Sequence, residues 1–203
     1  MIRLVLLAVF FVGCVTSQPF SGDAGTWCSE GLERKTWDTG SAVTLACESA
    51  PGVLIGAAFT WDKKVGRPFQ LVNFDEDGDL HGPVYYWHNN GQLSSSKEYI
   101  RGSLEGEMRM WHPNGTLAVR AQYRNDELEG AWIQWRPDGT LHLLQHWRQG
   151  DLNGPFFAWH ENGRLKTIGS YSDWNEVGEW EHWNADGIRE RDAERGEVPA
   201  ASE

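Results

Sequence analysis

From Leu80 onward, short runs of alternating apolar and polar residues are cut by polar turns on a fixed beat. LHGPVYYWHNNGQL, LEGEMRMWHPNGTL, LEGAWIQWRPDGTL and LNGPFFAWHENGRL begin at Leu80, Leu104, Leu128 and Leu152, and a worn copy, EVGEWEHWNADGIR, begins at Glu176. Gly82, Gly106, Gly130, Gly154 and Gly178 fall 24 residues apart, as do Trp87, Trp111, Trp135, Trp159 and Trp183. Such a period predicts one small unit stacked along an axis. No segment follows the 3.6-residue period of a helix, so the units are built of strands.

The turn residues set the geometry of each unit. His-Pro-Asn-Gly at 112–115 and Arg-Pro-Asp-Gly at 136–139 put proline where φ is near -65° and glycine where φ must be positive. That order marks a three-residue hairpin loop with a glycine bulge. Counting outward, His112 faces Thr116 and Trp111 faces Leu117. Strict alternation then places Trp111, Leu117, Val119 and Tyr123 on one face, with Trp135, Leu141, Leu143 and Trp147 as the equivalent set in the third copy. Met108, Met110, Ala118, Arg120 and Gln122 fall on the other. A second tight turn ends each copy, so the hairpins follow as a meander, advancing about 10 Å per copy. The fold expected is all-β, an elongated single-layer antiparallel meander of stacked hairpins.

Units of the form L-x-G-x-x-x-x-W-x-x-[ND]-G-x-L, closed by an aromatic at Tyr99, Tyr123, Trp147 or Tyr171, resemble MORN repeats, in particular the bacterial MORN-variant type. The resemblance covers residues 80–189. It implies stacked hairpins serving as a scaffold or interaction module, with lipid contact or an antitoxin role in some members. Residues 56–74, GAAFTWDKKVGRPFQLVNF, keep the order of the unit with shifted spacing and read as a degenerate copy at 56–79, as terminal repeats commonly diverge.

The ends of the chain differ in character. Residues 1–13 carry Arg3 and an apolar run too short to span a bilayer, with the length of a signal-peptide core. Phe11-Val12-Gly13-Cys14 resembles the bacterial lipobox, in which the cysteine is acylated and becomes the new N-terminus; a leucine is more usual at Phe11. Ordinary cleavage after Ser17 is the alternative. Residues 14–25 then form a tether, 26–55 a small cap, 80–191 the five repeats, and 192–203 a charged, disordered tail. With Cys14 lipidated, Cys28 and Cys47 remain as a disulfide pair in an oxidising compartment; two unpaired buried thiols are the other reading. The expected location is the bacterial cell envelope, as an outer-membrane lipoprotein, or else the periplasm or medium.

Composition narrows the partners. The chain of 203 residues has 29 acidic against 18 basic residues, a formal net charge of -11. That sign opposes binding of nucleic acid and gives anionic lipid no basic cluster to meet. The membrane is reached through the N-terminal lipid instead. Twelve tryptophans are the compositional anomaly. Trp87, Trp111, Trp135, Trp159 and Trp183, with Tyr85 and Phe157 beside them, form a candidate binding face for sugar rings or an extended peptide. The alternative is that each indole packs on the next.

Catalytic and metal chemistry find little support. His88, His112 and His160 recur at one repeat position, but copies about 10 Å apart cannot share an ion that needs ligands at about 2 Å. The run Asp75-Glu76-Asp77-Gly78-Asp79 occupies an inter-repeat turn, and Tyr86 stands where a calcium loop needs glutamate. No phosphate loop or nucleophile elbow is present. The reading is a non-catalytic scaffold, without cofactor or metal, for an unidentified envelope protein. A glycan or peptidoglycan reader and an antitoxin or immunity-like protein are the alternatives.

Overall fold

The computed structural model describes residues 28, 31–64 and 66–190. The signal segment, Cys14, the tether and the tail at 192–203 lie outside the described residues. Seventeen strands follow one another in a single open sheet, every pairing antiparallel and made between strands next to each other, or next but one, in sequence. There is no helix among the described residues. The N-terminal strands are β1 Glu33–Asp38, β2 Ala42–Ala50, β3 Val53–Asp62 and β4 Arg67–Phe74. Cys28 is bonded to Cys47 on β2, with Cα atoms 5.5 Å apart, as expected. β3 runs straight through 55 and 56, so the cap and the degenerate copy are continuous in the same sheet.

The repeats supply the rest. Four hairpins pair β5 Gly82–Trp87 with β6 Leu93–Ile100, β8 Gly106–Trp111 with β9 Leu117–Arg124, β11 Gly130–Trp135 with β12 Leu141–Arg148, and β14 Gly154–Trp159 with β15 Leu165–Ser172. Two-residue strands β7 Ser103–Leu104, β10 Glu127–Leu128 and β13 Asp151–Leu152 join successive hairpins. β16 Asn175–Trp183 and β17 Arg189–Glu190 end the array.

The hairpin loops form as their turn residues require. His112 N–H donates to Thr116 O at 2.9 Å, Gly115 N–H closes on His112 O at 2.8 Å, and Gly115 sits at φ 86°. Trp111 faces Leu117, as counted. One step further in, Met110 pairs with Val119, leaving Ala118 as an extra residue on β9. A bulge of this kind shifts the alternation by one residue. The same shift separates Trp87 from Tyr86, Trp135 from Gln134 and Trp159 from Ala158.

The shift corrects the face assignment. Val119 and Tyr123 lie with Met108, Met110 and Ala121, on the side away from Trp111 and Leu117. Leu143 and Trp147 are likewise opposite Trp135 and Leu141. Arg120 and Gln122 join the tryptophan side, where Arg120 and Arg109 both reach Glu107. The most buried stripe runs along the other side, through Ala46, Ala58, Val72, Val84, Met108, Val119 and Ala121. Ala121 is fully covered because Met108 stands directly across from it and Trp132 packs over the same cluster. In a single layer, large side chains must roof small ones, since no second layer does so.

A three-residue spine explains the L-x-G…aromatic spacing. Tyr99 pairs with Gly82 of its own hairpin and with Leu104 of the next, Tyr123 with Gly106 and Leu128, and Trp147 with Gly130 and Leu152. In each case the aromatic residue stands in register opposite a glycine that has no side chain and opposite the leucine that begins the following copy. The degenerate copy keeps this trio as Gly56, Phe74 and Leu80. In the worn copy Glu176 stands where the leucine belongs, opposite Tyr171.

Backbone bonds then close each copy on its own leucine, and side-chain bonds tie it to the next. Gly102, Asp126, Gly150 and Trp174, again 24 apart, donate their N–H groups to the carbonyls of Leu80, Leu104, Leu128 and Leu152. Nε2 of His88, His112 and His160 donates to the carbonyls of Trp111, Trp135 and Trp183 at 2.7–2.9 Å, and the Arg136 guanidinium does the same for Trp159. A carbonyl only accepts, so these imidazoles carry the proton on Nε2. Asn90, Asn114 and Asn162 bridge to the loop carbonyls of Pro113, Pro137 and Ala185.

Candidate interaction surface

The tryptophan row lies on one face, but its members do not stack on each other. In strand order the row reads Trp87, Leu93, Trp111, Leu117, Trp135, Leu141, Trp159, Leu165, Trp183, Arg189. A leucine stands between each indole and the next, so indoles recur only every second strand, about 10 Å apart. The ring pairs formed on this face lie within a copy: Tyr85 with Trp87 at 6.1 Å and Phe157 with Trp159 at 6.0 Å. Every tryptophan of the row is half-buried. A leucine stands opposite each of the first four and Arg189 opposite the fifth.

Beside that row runs a second one whose character changes along the array. In copies one and two it carries Tyr85, Ser96, Arg109 and Arg120. In copies three and four it carries Ile133, Leu144, Phe157 and Ile168. With Trp135, Leu141, Trp159 and Leu165 they make a continuous apolar block two residues deep across four strands, with no charged residue inside it. Nothing among the described residues covers this face. Sequence reasoning named Trp135, Phe157 and Trp159 but missed Leu144 and Ile168, because alternation counted without the bulge on β12 and β15 does not unite them with the tryptophans; Ile133, two residues before Trp135 on its own strand, was within reach of plain alternation.

The opposite face is aromatic at its C-terminal end. Trp180 meets Phe156 at 5.5 Å and Tyr171 at 5.0 Å, and its ring lies where a Cβ on Gly169 would be, at 2.2 Å. The indole N–H groups of Trp147 and Trp180 have no hydrogen-bond partner. Trp174 projects from the adjacent turn, 56% exposed, with its ring 5.2 Å from Trp147 at an interplanar angle of 84°. Its Nε1 donates to Asp151 Oδ1 at 2.8 Å. Trp174 has φ 68°, a left-handed conformation that costs a bulky residue about 1–2 kcal/mol.

The recurring histidines are consumed by the inter-copy bonds described above. Among the described residues no group of three or more His, Cys, Asp or Glu side chains is placed to hold a metal ion. The acidic run at 75–79 closes on itself, Asp75 Oδ1 accepting the N–H groups of Asp77 and Asp79. At 48, the backbone N–H of Gly52 holds the Glu48 carboxyl below its ordinary range, with Lys35 at 3.2 Å adding to the effect. Burial raises the Tyr99 and Tyr123 hydroxyls.

No curated protein matches the chain. The two units that begin on spine leucines Leu80 and Leu104 and close just past Tyr99 and Tyr123 are those that a family description fits: residues 80–100 and 104–125 match the MORN repeat variant.

Proposed function

We propose that the array is a non-catalytic, protein-binding scaffold that is exported and held at the bacterial envelope by a lipid on Cys14. The observation that carries the binding half is the uncharged block formed by Ile133, Trp135, Leu144, Phe157, Trp159 and Ile168 on an uncovered face. An apolar surface of this kind marks a contact with another macromolecule. Its alternation of indole and leucine favours a protein over a glycan, since sugar rings stack on continuous aromatic platforms flanked by polar groups. MORN repeats commonly serve as binding modules, which agrees. Export is supported by the Cys28–Cys47 disulfide, a bond characteristic of oxidising compartments, and anchoring by Gly13-Cys14 after an apolar leader.

Each half has its own test. Affinity capture from an envelope extract, with protein and sugar both analysed, is run with the parent and with Leu144→Ser/Phe157→Ser. A stoichiometric protein recovered by the parent and lost with the variant supports the scaffold. Muropeptides in place of a protein overturn it. Mass spectrometry of the mature N-terminus settles anchoring: an acylated Cys14 is expected, and an unmodified chain beginning at Gln18 refutes it.

A further inference from the structure

We infer that Trp174 and Asp151 form an acceptor site for a basic side chain, an arginine or lysine presented by a partner; this rests on the protein-binding reading above. Four residues occupy one turn position in successive copies, Gly102, Asp126, Gly150 and Trp174, and all four make the same backbone bond to the preceding leucine. That bond needs no indole. Two of the four are glycines, the residue suited to positive φ, whereas tryptophan is strained there and leaves more than half its surface in water. Neither backbone geometry nor burial accounts for it.

What the indole adds is an open aromatic face beside a carboxylate. Its position is fixed from two sides, by the near-perpendicular ring of Trp147 and by the bond from Nε1 to Asp151. A cation over an indole is attracted by the ring quadrupole within about 6 Å of the centroid, and here the Asp151 charge lies at the rim of the same ring. Arginine fits such a site best, since its flat guanidinium stacks on the ring while its N–H groups reach the carboxylate. Asp173 on the same turn and Glu176 just beyond it on β16 reinforce the field, and Arg148, across the strand pair from Asp151, opposes it. The net charge of -11 draws basic partners to the surface in general. Trp174 supplies the local selectivity.

The test uses the full chain and a labelled, capped hexa-arginine peptide, with capped hexaglutamate and a chitooligosaccharide as controls, read by fluorescence anisotropy at two salt concentrations. Trp174→Gly restores the residue found at Gly102 and Gly150 and relieves the positive-φ strain, which offsets the lost contacts with Trp147 and Asp151, so the melting temperature stays near that of the parent. It should weaken peptide binding about fivefold or more. Asp151→Asn keeps an acceptor for the indole N–H but removes the charge, and should weaken binding similarly. Equal peptide affinity in parent and Trp174→Gly overturns the site, as does a Trp174-dependent affinity for the sugar in place of the peptide. The outcome is separable from that of the apolar block: loss of the captured envelope protein in Leu144→Ser/Phe157→Ser alongside unchanged peptide binding in Trp174→Gly sinks this site and leaves the scaffold standing.

Discussion

Tyr123 stands directly across from Gly106 in its own hairpin and from Leu128 in the next, so a single ring closes two repeats at once. Gly106 holds φ 79° with only Glu98 Cβ, at 4.0 Å, near a would-be side chain. Gly106→Ala should therefore cost about 1–2 kcal/mol from backbone strain alone. Tyr123→Ala uncovers Ala121 and Leu128 together and should cost more, about 2–4 kcal/mol. Urea melts of the two variants give the order, and a Tyr123→Ala protein no less stable than Gly106→Ala would dismiss the spine.

Asp138 interrupts the row of loop amides. Asn90, Asn114 and Asn162 each donate to the loop carbonyl of the following copy, whereas a carboxylate at 138 has no proton to give. Asn114 also accepts from Thr116 N–H and Oγ1, as Asp138 does from Thr140, so an asparagine at 138 keeps every present bond. Asp138→Asn should gain about 0.5–1.5 kcal/mol through a new bond to the Glu161 carbonyl. Thermal melting at neutral pH checks this; an unchanged or lower midpoint removes the amide row from the account of stability.

Trp135 lies mid-array, paired with Leu141, and Trp183 lies at the end, paired with Arg189. Both are half-buried, so Trp135→Ala should cost about 2–3 kcal/mol, less than a fully buried aromatic, and Trp183→Ala roughly half that. If Trp135→Ala melts like the parent, and the parent emits as water-exposed indole, the row is free for ligand and the leucine sheath is irrelevant.

Glu48 offers a test in pH. Its folded carboxyl is held low, first by the Gly52 N–H and then by Lys35. A depressed carboxyl contributes stability above its unfolded value, about 4.3, and loses it as pH falls through the lower folded value. Glu48→Gln should thus melt below the parent at pH 7, with the gap closing under acid conditions. A gap that persists at pH 2 would assign the loss to packing.

The bulge shows where sequence reasoning stops. Turn residues alone placed Trp111 opposite Leu117, because proline and glycine fix the loop. Counting inward by strict alternation then failed at Ala118, which the loop chemistry does not reveal. A clue existed in the chain itself. Working back from Trp111, its own face carries Arg109 and Glu107, while the apolar residues are Met110 and Met108; on β9 the apolar set is Val119, Ala121 and Tyr123. The two strands agree on a core only if parity changes once near the loop. The recurrence of His88, His112 and His160 was equally visible, but their role was not. Each bonds a backbone carbonyl 23 residues later, and no side-chain pattern marks a carbonyl. Trp174 escaped because its position is defined by the turn period, not by the tryptophan period.

The Cys28–Cys47 bond lies at one end of the sheet, and the worn copy with Glu176 in place of a spine leucine lies at the other. A stack in which copies touch only their neighbours comes apart from its weaker end. Fraying therefore has a direction: the array is a zip sewn shut at its first teeth, which lets go from β17 backwards under heat or pull. Amide exchange should slow step by step toward the N-terminus. A ligand bridging copies four and five would act as a clasp at the open end, protecting residues it never touches.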